Sequence, residues 1–565
     1  MTVSDWGGRL VRYPEERANA YRASGAWSSQ TTGGRLHGVA LRFPDRPAVI
    51  TAEAEITYAE LDSRTDQIAA GLAQLGLRPR DPVILQLTNR LETVLAWYGT
   101  IKAGLIPVAT LAAHRQHEIG YLSAKLGAVA HIVEAGLNFD LVRFAFEHAD
   151  GHPTLRHIIV VGDAAAGARL DTLGADVSPT AAREFVERVE RDTDPEDVVA
   201  FQLSGGTTGV PKVIPRIHAE YWNNAEFYAR CLGWDQNTLV AHLIPIVHNA
   251  GIECGLHAAH AVGACLVLAT AQAEAAFELM ARARASAVLL GHGHYQATRL
   301  PAFEAARPHL RQVVLSGAKV EPELFEHVQR GATWAGQLFG MSEGMFLATP
   351  LNAPAAARLS TVGTTICTDD EIRILEPGTE SGVPDETVGE LCCRGPYTIP
   401  GYFDAPEHNR SAFTSDGFYR TGDLAKMTVI GGERYVSIEG RIKDVINRGG
   451  EKINAEEVEM LLAQHPDVAD VAVVAMPDAR LGEKTCAYVV AATGNRLDLD
   501  EIRHHLADLG VAKFKWPERL EWVDALPRSN VGKVDKKFLR AAVATKLEEE
   551  RNTASAKGSE HYATR

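Results

Sequence analysis

Apolar and polar positions follow two rhythms over roughly the first 430 residues. Short apolar runs fall at 82–86, 157–161, 198–203, 265–269, 287–290 and 312–315. Turn residues or helical stretches bound most of them. The clearest helical stretch is 56–76, where apolar side chains recur at helix spacing. Strands that are apolar on both faces and alternate with helices predict an α/β architecture with largely parallel sheets.

The rhythm changes after Tyr435. Residues 440–447 are charged and turn-like. A helix is expected at 454–464, strands at 468–475 and 486–490, and a helix at 498–509. This reads as a second, α+β unit of roughly 100 residues. The expected organisation is a large multi-layer α/β domain over 1–440 and a smaller, mobile α+β domain over 441–547. The polar tail over 548–565 has little apolar content and is expected to be disordered.

Composition narrows the function. The net charge of −15 argues against nucleic-acid binding, which needs a positive field. The first residues show no signal-peptide pattern, and no apolar stretch reaches membrane-spanning length. The 7 cysteines show no paired zinc spacing and read as reduced, mostly buried thiols of a cytoplasmic protein. His292 and His294 on a Gly-rich turn do not make a metal site by themselves.

Chemistry is concentrated in a few motifs. Ser204, Gly205, Gly206, Thr207, Thr208, Gly209 and Lys212 form a glycine-rich loop directly after an apolar strand. Such a loop can turn N–H groups and hydroxyls onto a polyphosphate, with Lys212 adding positive charge. It is not a Walker loop, because no Gly-Lys-Ser/Thr closes it.

Seven motifs in order carry a family resemblance: this loop, 56–61 with 102–104, 339–343, 419–423, 440–444, 447–453 and 527–536. The chain resembles the adenylate-forming superfamily of acyl-CoA synthetases, peptide-synthetase adenylation domains and luciferases. Residues 214–218, His248-Asn249, 394–399 and Gly401-Tyr402 make it most similar to stand-alone aryl-acid AMP ligases of siderophore pathways.

The resemblance implies ATP and Mg²⁺ as cofactors and an aromatic carboxylic acid as substrate. It implies transfer of the aryl group to a phosphopantetheine thiol, on a separate carrier protein or on coenzyme A. Any carrier is expected to be a separate protein. Lys533 and His248 would be catalytic and Glu343 the metal ligand. Gly317, Ala318, Phe339, Gly340, Met341, Ser342, Asp423 and Arg441 would join the loop in binding ATP. His248, Asn249, Ala250, Cys254, Gly317 and Phe346 would line the acid pocket, and Lys443 would be the hinge. Cys254 stands where a dihydroxybenzoate pocket has serine, and Ala250 where it has a large aromatic. Glu253 is left open between meeting an amine in the pocket and facing solvent. The rival readings are an aryl-CoA ligase, a luciferase-like monooxygenase and a non-catalytic nucleotide-binding relative.

Overall fold

The computed structural model describes residues 6–163, 165–204, 211–317, 320, 322–442, 445–492, 496–527 and 534–562. The chain divides into two compact units, the first ending at Ile442, just past the expected boundary at 440.

Two large sheets form the frame of the first unit. One has seven strands, in the order Ala168–Arg169, His157–Val161, Ala130–Glu134, Pro82–Leu87, Ile106–Leu111, Val198–Ser204 (β1) and Lys212–Ile217 (β2). Its strands pair in parallel except for β1 with β2. The helix His218–Cys231 (α1) follows β2 directly. The other sheet has nine strands. Parallel neighbours at its centre include Leu239–His242, Ala287–Gly291, Gln312–Ser316 (β3) and Trp334–Met341 (β4). Gly344–Ala348 (β5) turns back antiparallel on β4. All six apolar runs of the sequence are strands of these sheets. Each is fixed by burial on both faces, as in Pro82–Leu87, which is buried throughout.

A four-stranded antiparallel sheet, unforeseen in the sequence, completes the unit. Its strands are Glu371–Leu375, Gly389–Arg394, Tyr419–Ile430 (β6) and Glu433–Arg441 (β7). Glu371–Leu375 and β6 mix buried with less buried positions, so they lack the continuous apolar signal of the parallel strands.

The motifs at 56–61 and 102–104 meet in one joint. Thr57 caps the helix Tyr58–Gln74 reciprocally with Glu60, whose carboxylate accepts the Thr57 N–H at 2.8 Å. Lys102 ends the next helix and is buried. Its ammonium donates to Asp62 Oδ1 at 2.6 Å and Asp66 Oδ1 at 2.7 Å. Burial works against the Asp62 charge, but His37 and Lys102 outweigh it and hold this carboxyl at about 2.

The second unit is built on Glu451–Asn454, Val445–Arg448, Gly482–Ala491 and Val468–Asp478, with Arg519–Trp522 parallel beside Gly482–Ala491. The expected helices appear as Ala455–Leu462 and Leu499–Asp508, packed through Val458, Leu462, Ile502 and Leu506 onto Val473 and Val489. The expectation of a disordered tail from 548 is corrected. A single helix runs over Lys536–Tyr562. Its Leu539 and Val543 pack against Val474 and Tyr488. Its polar continuation is rich in Glu, Lys, Arg and Ala, which favour helix whatever their polarity. Arg519 forks onto Glu550 at 2.6 and 2.9 Å and anchors that part of the helix.

The Lys102 joint gives a stability prediction. Lys102→Met leaves two buried carboxylates without their ammonium and should destabilise the first unit by about 3 kcal/mol. Urea unfolding monitored by tryptophan fluorescence checks this, and a loss under about 1 kcal/mol would rule out a structural role for the pair.

Candidate active site

The phosphate-loop expectation begins at a strand end. β1 and β2 pair antiparallel up to Ser204 opposite Lys212. Gly205, Gly206, Thr207, Thr208 and Gly209, which join them, lie outside the described residues. The Lys212 ammonium sits 4.9 Å from the centre of the Tyr402 ring. The Tyr402 hydroxyl donates to Glu343 Oε1 at 2.5 Å and lies 2.8 Å from the Tyr419 hydroxyl. Burial, then the Glu343 charge, pushes the Tyr402 phenol well up, so it stays protonated and donates.

Glu343 follows Ser342 in the turn between β4 and β5. Gly344 fixes that turn. Its φ is +141°, and a Cβ there would come 1.6 Å from the Tyr397 carbonyl oxygen. Glu343 is therefore aimed by a backbone conformation that excludes other residues at the next position. Its Oε2 has no donor among the described residues, which suits a hard cation completed by phosphate oxygens.

Behind this turn lies a dry ionic network. Arg216 of β2 is fully buried. Its Nε donates to Glu220 Oε1 at 2.8 Å and its Nη2 to Glu220 Oε2 at 2.5 Å. Both terminal nitrogens also reach Glu253, each at 3.3 Å. Nη1 further donates to the Ser342 carbonyl at 3.1 Å. Burial opposes the Arg216 charge, but the two carboxylates overcome it and the guanidinium stays ionised. Glu253 is the weaker-held acid. Burial pushes its carboxyl up to about 7, against the pull of Arg216.

Glu253 thus neither faces solvent nor stands open to an amine. Asn224 Nδ2 donates to its Oε1 at 2.6 Å and Asn249 Nδ2 to its Oε2 at 2.5 Å. The chain continues outward: Gln202 donates to the Tyr221 hydroxyl at 2.9 Å, which donates to Asn249 Oδ1 at 2.9 Å. These bonds fix which end of the Asn249 amide is oxygen.

Of the residues expected in the acid pocket, His248, Ala250 and Cys254 lie beside Asn249 in the chain. The His248 Nδ1 accepts the Ala250 N–H at 3.2 Å, which orients the ring. Cys254 lies in the π-helical turn Gly251–His257 and is buried, with its thiol pushed well up by burial. Phe346 of β5 stands opposite Gly340 of β4, where a Cβ would meet its ring at 2.6 Å. Gly340 therefore makes room for that ring.

Several of the residues expected on the nucleotide side fall at or just beyond strand ends. Gly317 follows β3 with a φ of +96°. Phe339 and Met341 belong to β4. Asp423 of β6 and Arg441 of β7 are direct cross-strand partners, although 18 positions (441 − 423) separate them. Arg441 is described in its backbone only, and Ala318, Lys443 and Lys533 lie outside the described residues. Sequence reasoning missed the roles of Gln202, Tyr221, Asn224 and the Arg216–Glu253 pair. The one local signal was the spacing of Arg216 and Glu220, four apart at a helix start. No group of three or more metal-ligating side chains occurs among the described residues.

Residues 36–403 match the family described as AMP-binding enzyme, and 457–533 match the AMP-binding enzyme C-terminal domain. A salicylyl-CoA synthase / salicylate adenylyltransferase of a Streptomyces species is 38% identical, over 95% of this chain and 98% of its own. A salicyl-AMP ligase / salicyl-S-ArCP synthetase of Mycobacterium tuberculosis is 37% identical, over 94% of each. Among solved structures, apo MbtA of Mycobacterium smegmatis has a TM-score of 0.72 and 36% identity, covering 95% of this chain and 99% of its own.

The proton on Glu253 gives a pH prediction. A carboxyl raised from 4.5 to about 7 binds more protons folded than unfolded, so its contribution to stability falls as pH rises through that window. Glu253→Gln lacks this decline. The wild-type melting temperature, measured relative to the variant, should drop between pH 5 and 7 and level off above. A difference that does not change with pH would place the proton elsewhere.

Proposed function

This chain belongs to the AMP-binding enzyme family, and from that premise we propose that it activates an aromatic carboxylic acid with ATP and passes the aryl group to a pantetheine thiol. The acid carboxylate attacks the α-phosphorus, pyrophosphate leaves, and an aryl-AMP remains. The thiol sulfur then attacks the acyl carbon and AMP leaves. The observation that carries this reading is the reach of Arg216. One buried guanidinium links the strand that follows the phosphate loop to the Ser342 carbonyl beside Glu343 and, through Glu253, to Asn249. The groups expected at the phosphates and at the acid therefore share one rigid support.

In this reading His248 and Asn249 hold the acid, with the Asn249 amide fixed by Tyr221 and Glu253. Cys254 and Phe346 shape the ring slot, with Ala250 leaving space. Glu343 would hold a magnesium ion, which neutralises charge on the departing pyrophosphate. Lys212 adds positive charge at the same place. Asp423 accepts from the ribose hydroxyls, with Arg441 beside it in the ladder. Lys533 offsets the negative charge that builds between carboxylate and α-phosphate. Lys443 is the pivot about which the second unit reorients, so that the thiol can take the place Lys533 vacates.

The acceptor is proposed to be a separate carrier protein, in line with the relative named for salicyl-S-ArCP synthesis. Coenzyme A is the second reading, favoured by the relative named as a salicylyl-CoA synthase.

Pyrophosphate exchange into ATP across benzoates, anthranilates, picolinates and cinnamates tests the proposal. Exchange should depend on an aromatic acid; exchange driven equally by aliphatic acids would overturn it. Lys533→Ala should lower exchange by at least about a hundredfold while sparing thiol transfer from supplied aryl-AMP. Equal loss of both steps in a folded variant would remove Lys533 from its assigned role.

A further inference from the structure

One polar atom near the expected acid pocket has no use in the scheme above. Tyr228 lies on α1 two turns beyond Tyr221, and the helix repeat brings it to the same face. It is completely buried. Its ring meets Phe346 edge-on at 5.9 Å and Trp234 at 5.5 Å. It therefore meets Phe346, one of the residues expected to shape the ring slot. Yet its hydroxyl has no hydrogen-bond partner among the described residues.

A buried hydroxyl without a partner is destabilising, because it gives up water and gains nothing. Phenylalanine would fill the same space and keep both ring contacts without that loss. The neighbouring rings do not relieve it: Phe346 and Trp234 present ring carbon. Burial raises the phenol well above its ordinary range, so it is a neutral O–H throughout the physiological pH range. Such a group can donate to a ring nitrogen or an oxygen, or accept from a hydroxyl.

We propose that Tyr228 is a specificity-determining residue whose hydroxyl hydrogen-bonds a polar atom, a ring nitrogen or hydroxyl, on the edge of the aromatic acid remote from its carboxylate. The proposal rests on the acid-activating reading and deepens it. Asn249 serves the edge next to the carboxylate, whereas Tyr228 serves the far edge, beside Phe346. The substrate class is an aromatic acid carrying a second hydrogen-bonding atom, not a plain hydrocarbon ring.

Matched acids test it. 3-Hydroxybenzoate is compared with 3-methylbenzoate, and quinoline carboxylates with naphthoates of the same shape, in wild type and Tyr228→Phe. Binding is measured by calorimetry and turnover by pyrophosphate exchange. In wild type the polar member of at least one pair should be preferred. Tyr228→Phe should lower that preference about tenfold, through KM and Kd and not kcat. Its melting temperature without acid should equal or exceed that of wild type, because an unpartnered hydroxyl is removed. A preference that does not move, or a variant several degrees less stable, overturns the proposal. Failure of every acid to support exchange would instead refute the activating role, and calorimetry still reads the Tyr228 preference in that case.

Discussion

A guanidinium sealed from water has to be matched by acids, and at Arg216 that requirement organises the first unit. Its partners come from three places in the chain: Glu220 one helical turn later, Glu253 in a π-helical turn and the Ser342 carbonyl in a hairpin. None of these segments is held to another by backbone pairing here. The charge network does that work, with the polar chain from Gln202 through Tyr221 and Asn249 completing it. Two carboxylates facing one cation leave an excess of negative charge. Burial raises the Glu253 carboxyl to about 7, so the net charge of the network changes with pH around neutrality.

Much of the frame was legible in the sequence because parallel strands leave continuous apolar runs. His157–Val161 is a strand with the bounds its run suggested. Motif residues were legible for a different reason: Gly344 and Gly340 sit where backbone or ring atoms leave no room for a Cβ. What was hidden depends on long-range pairing. Glu253 reads as an ordinary acid until Arg216, 37 positions away, is brought to it. The antiparallel sheet was hidden by its half-polar faces, and the last helix by a charged composition that resembles disorder but favours helix. Tyr228 gave no signal at all, since a lone aromatic on an apolar helix face reads as core.

The pairing of Asp423 with Arg441 has a consequence for how the protein tolerates change. Those two positions are aligned by a ladder that begins at the far end of β6 and β7, where Gly431 and Gly432 form a tight turn between Ile430 and Glu433, both with positive φ. A register shift at Leu424/Ala425 sets the final alignment. Side chains alternate faces along a strand, so one residue added to that remote turn and carried down the ladder inverts the faces of everything beyond it. A surface turn with no chemistry of its own thus acts as the ruler for the nucleotide end of the molecule. An insertion at this turn therefore matters only if the loop or the existing bulge does not absorb it.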